Sequence, residues 1–252
     1  MIVLRIKKKT LRLGGFLLLC AVAFAAAGRV PTALPAATTG LKPVYSVERS
    51  DRAIALSFDA SWGAEHTEEL LAALAENDVR TTFFLVNLWI DEYPDLVRKI
   101  DAAGHEIGLH SATHPHFTEL SPAEMTAEIE KNRGAVKALT GREATLFRPP
   151  FGDYNDDVIT AVEAAGLTAV QWSVDSLDWQ GLSAAEISRR VLDGAAPGAI
   201  VLLHNNGDHT AEALKTILPA LKEEGYRIVP VSELLLSGES AVGQDGVMRP
   251  VK

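Results

Sequence analysis

Two histidines four residues apart, His110 and His114, are the side chains in this sequence best suited to metal chemistry. In a helical turn this spacing places both rings on one face, where their nitrogens can bind a divalent metal. The motif alone is weak, but Pro115 follows it and an apolar segment precedes it, which predicts a fixed loop. The single cysteine, Cys20, lies in the N-terminal apolar segment, so chemistry in the folded body depends on His, Asp, Glu, Ser or a metal.

Other ionisable residues follow apolar segments in the same way. They are Asp59, Arg148, Asp175, Asp178 and His204. Apolar strand-like segments alternate with amphipathic helical ones about seven times, which predicts a parallel sheet with crossover helices, closed as a barrel or open and doubly wound. Such folds collect the carboxyl ends of their strands at one rim, so we expect these side chains to share one site.

Five short motifs occur in a characteristic order along the chain. They are Ser57-Phe58-Asp59, His110-x-x-x-His114, Arg148-Pro149-Pro150-Phe151-Gly152, Asp175-Ser176-Leu177-Asp178-Trp179 and Leu202-Leu203-His204. Together they resemble the NodB-homology polysaccharide deacetylases of carbohydrate esterase family four, from about Ala53 to Val231. The segment from Phe58 to Gly63 and the Leu203-His204-Asn205-Asn206 ending are similar to the sporulation-associated branch. The resemblance implies an α/β fold, a distorted (β/α)7-type barrel, as a single domain over residues 44–238.

The resemblance also implies roles. His110 and His114 would bind a divalent metal, zinc or alternatively cobalt or manganese, which polarises an acetyl carbonyl. Asp59 would be the general base, held ionised and oriented by Arg148. His204 would protonate the leaving amine.

Asp178 would orient His204, with Asp175 as the alternative. The backbone N–H of Phe151 would help to hold the oxyanion. Trp62 and Trp179 would form sugar-facing walls, with core packing as the alternative. The implied activity is removal of N-acetyl groups from a cell-wall polysaccharide, either peptidoglycan or a chitin-like polymer.

One position departs from the family pattern, which has a second aspartate directly after the base. Here that position is Ala60, which cannot bind a metal. Asp59 could take the ligand role, Glu65 or His116 could substitute, or the metal could bind weakly. The alternative function is therefore a catalytically weak glycan-binding or wall-organising protein on the same scaffold. A third possibility is hydrolysis of a small amide that is not a sugar.

Charge and composition define the ends of the chain and its partners. The formal net charge is -9, which does not favour nucleic-acid binding. The five bases from Arg5 to Arg12 precede an apolar segment and Ala25-Ala26-Ala27, so residues 1–28 are predicted to be a signal peptide or an N-terminal anchor. We expect a linker at 29–43, a disordered tail at 239–252, and an exported monomer whose only membrane contact is that N-terminal segment.

Overall fold

The computed structural model of the chain describes residues 40–251. The predicted signal peptide or anchor (1–28) and the linker up to residue 39 lie outside the described residues. Between residues 40 and 251, no helix combines the length and the apolar character needed to cross a membrane.

The described chain alternates strands and helices. The strands are β1 (Ser46–Val47), β2 (Ala53–Ala60), β3 (Thr82–Leu85), β4 (Glu106–Leu109), β5 (Leu146–Phe147), β6 (Thr168–Ala169), β7 (Val174–Asp175), β8 (Ile200–His204), β9 (Arg227–Ile228), β10 (Ser240–Val242) and β11 (Val247–Pro250). The helices are α1 (Thr67–Glu76), α2 (Asn87–Glu92), α3 (Pro94–Ala102), α4 (Pro122–Thr140), α5 (Asp156–Ala164), α6 (Ala184–Gly194), α7 (Thr210–Glu223) and α8 (Val231–Leu234).

The main sheet is parallel and strongly curved. Its strand order is β6-β5-β4-β3-β2-β8-β7, and β9 pairs with the start of β2. The two edge strands, β6 and β7, are separated in sequence only by residues 170–173. Because so short a segment spans at most about 18 Å, the two edges must lie close together. The predicted distorted (β/α) barrel is therefore confirmed, with its seam between β6 and β7.

Strand β2 divides the interior into two environments. Its even-numbered side chains, from Ile54 to Ala60, belong to the larger apolar cluster, which includes residues of α1, α4 and α7. Side chains alternate between the faces of a strand, so Ser57 and Asp59 face the opposite side. Arg148 lies on that side and bonds both. The alternation thus separates the chemistry of Asp59 from the packing of Ala60.

The prediction of a disordered tail at 239–252 is wrong for most of that segment. Strand β10 pairs antiparallel with β11, and β11 pairs parallel with β1, giving a separate three-stranded sheet. The turn between β10 and β11 contains Gly246 at φ +75°, where an added Cβ would clash with the Tyr45 ring. The segment has no continuous apolar stretch, and its partner β1 is about 200 residues away in sequence, so local sequence patterns gave no signal for the pairing.

Candidate active site

A pocket of about 620 Å³ lies at the carboxyl ends of the parallel strands. Seven of the predicted site side chains line it: Asp59, Trp62, His110, His114, Phe151, Trp179 and His204. The other two, Arg148 and Asp178, are buried behind it and bond Asp59 and His204. The structure therefore brings every predicted site residue to one place.

Asp59 and Arg148 form a buried ion pair at the pocket floor. Arg148 Nη1 donates to Asp59 Oδ1 at 2.7 Å, and Nη2 donates to Ser57 Oγ and the Gln171 carbonyl. The guanidinium also lies 4.1 Å from the centre of the Phe84 ring. Burial is the largest single effect and opposes ionisation of Asp59. The charge of Arg148, the nearby His110 and His204, and the Arg148 hydrogen bond together outweigh it, so the pKa of Asp59 lies below its ordinary value. The carboxylate is therefore held ionised, with Oδ2 left free of Arg148.

His110 presents one ring nitrogen to the pocket. Its Nδ1 lies 2.7 Å from the carbonyl oxygen of Arg148, an arrangement that requires the proton on Nδ1. Nε2 then carries a lone pair, and it lies 3.6 Å from Asp59 Oδ2. Burial lowers the pKa of His110, which favours the neutral ring that metals bind.

His114 is held next to His110 by a strained loop. The two ring centres are 4.9 Å apart, and burial lowers the pKa of His114 to about 3. Its Nδ1 is buried without a hydrogen-bond partner. Both Ser111 (φ +76°) and His114 (φ +57°) adopt the left-handed region, which costs non-glycine residues energy. The backbone N–H of His114 donates to Ser111 Oγ within this turn.

His204 and Asp178 form the second charged pair, on another wall. His204 Nδ1 lies 2.7 Å from Asp178 Oδ1. Asp178 Oδ2 accepts bonds from the His204 backbone N–H and from Thr210 Oγ1. Burial alone would lower the pKa of His204, but the hydrogen bond and the charge of Asp178 raise it above its ordinary value. This histidine therefore retains its proton to higher pH than a free one.

The alternative orienting residue, Asp175, lines the pocket but does not bond His204. Its Oδ1 accepts the backbone N–H of Leu177. Of the two candidate aspartates, the structure thus places Asp178 against the imidazole.

Three large aromatic side chains project at the pocket rim. Trp62 and Phe151 are 56% exposed and Trp179 is 60% exposed, so the core-packing alternative for the two tryptophans is wrong. Trp62 and Phe151 each contact the edge or face of His114, with ring centres 4.7 and 4.4 Å away. Phe151 has φ +60°. The rim therefore offers flat apolar surfaces beside the imidazole pair.

The donors present fit a metal held by two imidazoles with one carboxylate beside them. His110 Nε2 has a free lone pair, and the partnerless His114 Nδ1 is the kind of buried group that an ion or a water explains. Among residues 40–251, no group of three or more His, Cys, Asp or Glu side chains is spaced to hold a metal. Asp59 is the nearest carboxylate, and its oxygen is 3.6 Å from His110 Nε2.

Neither substitute suggested by the sequence completes this set. Glu65 accepts the neighbouring backbone N–H of Ala64. His116 stacks on Phe151 and lies 3.4 Å from Asp153. Ala60 is fully buried in the larger apolar cluster. In the described chain, neither Glu65 nor His116 therefore replaces the metal ligand that is absent at position 60.

Several supporting residues were not predicted from the sequence. Ser57 bridges Arg148 to the Val201 carbonyl, and Thr210 bonds Asp178. Glu128 and Asn132 of α4 bond the backbone of the loop that carries the two histidines. In the sequence, Glu128 and Asn132 resemble ordinary solvent-facing residues of the helix α4. Only their tertiary contacts identify them as residues that support the loop.

A family model, polysaccharide deacetylase, matches residues 46–170. The chain is 38% identical over 192 residues to the peptidoglycan-N-acetylglucosamine deacetylase PgdA of Listeria monocytogenes, covering 76% of this chain and 41% of that protein. It thus spans about two fifths of the length of that relative. It is 32% identical over 213 residues to a chitooligosaccharide deacetylase of a Bradyrhizobium species, covering 76% of this chain and 97% of the relative.

The chain is also similar to the solved structures of a protein described as a pseudoenzyme and of its mutant. A wild-type protein of Bacillus anthracis, described as a CE4 family pseudoenzyme, superposes with a TM-score of 0.74 at 33% identity, covering 76% of this chain and 68% of that one. A mutant of the same protein, described as having restored enzymatic activity, gives a TM-score of 0.74 at 34% identity and covers 76% and 70% of the two chains. The scaffold is thus shared by proteins described as active and as inactive.

Proposed function

The chain belongs to the polysaccharide deacetylase family, and we propose that it removes N-acetyl groups from an N-acetylhexosamine polymer of the cell wall. One observation carries the proposal. Two opposite charged pairs, Asp59–Arg148 and His204–Asp178, each present one titratable group to the same pocket. Their environments shift the two pKa values in opposite directions, as a base and an acid acting in one reaction require.

The reaction needs two proton transfers. Asp59, ionised beside Arg148, takes a proton from the water that adds to the acetyl carbonyl carbon. His204, kept protonated by Asp178, gives a proton to the amide nitrogen as the carbon–nitrogen bond breaks. The products are acetate and a free amine on the sugar. A divalent metal at His110 and His114 supplies Lewis-acid polarisation of the carbonyl when it is bound.

The rim of the pocket fits a sugar polymer better than a small amide. Trp62, Phe151 and Trp179 are each more than half exposed, and flat aromatic surfaces of this kind give large contact areas at low entropic cost. We assign Trp62 and Trp179 to sugar contacts, and the backbone N–H of Phe151 to the developing oxyanion. The substrate lies outside the cell, in keeping with the predicted export signal, and the metal is zinc, cobalt or manganese.

Acetate release from N-acetylglucosamine oligomers and from peptidoglycan tests the proposal. The full chain is assayed with added Zn²⁺, Co²⁺ or Mn²⁺, beside the matched variant Asp59→Asn. We expect release by the wild type and a loss of about 10²- to 10⁴-fold in the variant, the range for removing a general base. Release by the wild type no greater than that of the variant, under every metal, would overturn the proposal.

A second function is favoured by the incomplete ligand set. With Ala60 in the apolar cluster and no group of three ligand side chains in residues 40–251, the chain could bind acetylated glycan without hydrolysing it. Retention of the oligomers by both the wild type and the Asp59→Asn variant, with no acetate from either, is the result that this function predicts.

A further inference from the structure

We propose that Glu128 and Asn132 of α4 are positioning residues that hold the imidazole loop, residues 110–114, in the conformation that presents both rings to one ion. The inference rests on the proposed function, because the metal belongs to that function. The two side chains are four residues apart and therefore lie on the same face of the helix. Neither carries a predicted role in the reaction.

Glu128 holds the middle of the imidazole loop. Its Oε2 accepts the backbone N–H groups of Ala112 and Thr113 at 2.9 and 2.8 Å. Its Oε1 accepts the Thr113 hydroxyl at 2.9 Å. One carboxylate thus binds three donors of two consecutive residues, and hydrogen bonds to a charged acceptor are stronger than neutral ones.

Asn132 holds the start of the loop. Its Oδ1 accepts the backbone N–H of His110 at 2.9 Å, and its Nδ2 donates to the Leu85 carbonyl and to Asn87 Oδ1. Asn132 is completely buried. The backbone N–H of Asn87 in turn donates to the Ser111 carbonyl. The bonds join α4, the end of β3 and the loop, so His110 cannot shift without breaking buried hydrogen bonds.

The loop needs this support because its own conformation is unfavourable. Two of its five residues, Ser111 and His114, have positive φ, and such strain persists only where the surroundings enforce it. Apart from the bonds to Glu128 and Asn132, its backbone N–H groups donate from His110 to the Leu85 carbonyl at 3.2 Å and from His114 to Ser111 Oγ. Without Glu128, we expect the loop to relax and His114 to move away from His110, which weakens metal binding.

The variants separate shape from charge. Glu128→Ala removes all three acceptor contacts. Glu128→Gln retains a carbonyl oxygen for the two N–H groups, while its amide can donate to the Thr113 hydroxyl oxygen. The control is Glu130→Ala on the same helix, which loses only a half-exposed carboxylate paired with Arg133. All three proteins are prepared as the full chain.

Metal affinity is measured with Co²⁺ by its visible absorption, and with Zn²⁺ by competition. We expect Glu128→Ala to raise the dissociation constant by about 10- to 100-fold, the usual effect of losing a group that orients a ligand. Glu128→Gln should recover most of that loss, and Glu130→Ala should match the wild type. Equal affinity in Glu128→Ala and the wild type would overturn the inference, whatever the enzymatic activity.

A metal-free measurement separates failure of this inference from failure of the proposed function. The imidazole ¹⁵N signals of His110 and His114 and the amide hydrogen exchange of Ala112 and Thr113 are recorded without metal. We expect displaced ring signals and faster exchange in Glu128→Ala alone. If the wild type binds no metal, the metal-dependent function fails. In that case unchanged signals in Glu128→Ala would still overturn the positioning role, and displaced signals would support it.

Discussion

The two halves of the pocket differ in completeness. The proton-transfer half, Asp59–Arg148 and His204–Asp178, has each reacting group held by an opposite charge at 2.7 Å. The ligand half, His110 and His114, has two imidazoles but an alanine where the family has a third ligand. Charged pairs buried to this degree are costly to maintain. Their presence beside an incomplete ligand set supports the proposed roles of Asp59 and His204 in proton transfer.

The largest expected effect tests the proton-transfer half. Replacing Arg148 by Met leaves the Asp59 carboxylate buried without its counter-charge, and we expect a loss of about 3–5 kcal/mol in the free energy of unfolding. In the native protein the pKa of Asp59 is lowered. Ionised Asp59 therefore stabilises the fold at pH values above the pKa of an aspartate in the unfolded chain, which is about 4. The difference between variant and wild type should therefore be greatest at neutral pH and shrink as the pH falls below 4.

Denaturant unfolding at several pH values measures this difference. The control is Arg98→Met, which removes an exposed ion pair with Asp95 and should change stability by less than about 1 kcal/mol. Similar small losses in both variants would contradict the view that the Asp59–Arg148 pair is tightly held.

A somewhat smaller effect tests the ligand half. Ala60→Asp places a carboxylate at the end of β2, in an apolar environment. Without metal, we expect a loss of about 2–3 kcal/mol in stability, because a buried carboxylate lacks partners there. With Zn²⁺, we expect the carboxylate, which is on the last residue of β2, to turn from the apolar cluster towards the imidazoles. A gain in stability of similar size relative to the wild type should result, since a third ligand tightens binding.

Thermal unfolding with and without Zn²⁺, together with direct metal titration, checks the Ala60→Asp prediction. The isosteric variant Ala60→Asn is the control for size. If Zn²⁺ stabilises Ala60→Asp no more than the wild type, the new carboxylate does not reach the imidazoles and the contrast between the two halves needs another explanation.

The smallest of the three effects concerns the acid. Asp178 raises the pKa of His204, so Asp178→Asn should lower that pKa. The imidazole of His204 should then lose its proton at a lower pH than in the wild type. We expect the alkaline limb of acetate release to shift to lower pH and the rate at neutral pH to fall by about 10-fold, which corresponds to about 1.4 kcal/mol in the activation free energy.

The pH–rate profile and an NMR titration of His204 measure the Asp178→Asn effect, and the titration works even if turnover is slow. Asp175→Asn is the matched control. Asp175 raises the pKa of His204 by its charge alone and by less than Asp178 does, so its variant should shift the titration in the same direction by less. A larger shift in Asp175→Asn would reverse the assignment of the orienting residue.

The sequence was sufficient for the features that depend on local order. Apolar segments ending in Asp59, His110, Arg148 and His204 predicted strand ends at one rim of a parallel sheet. Their alternation with helices left a barrel and an open sheet as alternatives, and the family resemblance implied the barrel. The Ser-x-x-Glu patterns at Ser121 and Ser183 indicate capping boxes from the sequence alone, and capping boxes begin α4 and α6 at these residues. These features arise from periodicity and from hydrogen bonds within a few residues.

Features that depend on distant partners were not predictable. Glu128 is defined by its bonds to Ala112 and Thr113, fifteen or more residues away along the chain. Residues 87–102 divide into α2 and α3 at Tyr93, just before Pro94, and the six residues of α2 are too few for a helical period to indicate that helix. The sequence also could not show that Ala60 packs in the apolar cluster. Alternation assigns a side chain to a face only within a strand, and the sequence does not show that β2 extends to Ala60.

The pairing of β1 with β11 has a consequence for the order of folding. Ser46 pairs with Val247, so this contact closes a loop that contains nearly the whole domain, and closing a long loop costs more entropy than closing a short one. We expect the βα units to form first, from residues that are near neighbours in sequence. The pairing of β1 with β11 should form last. Both strands are short, and no residue of β11 is fully buried, so β11 should be among the first strands to exchange its amide hydrogens in the native state.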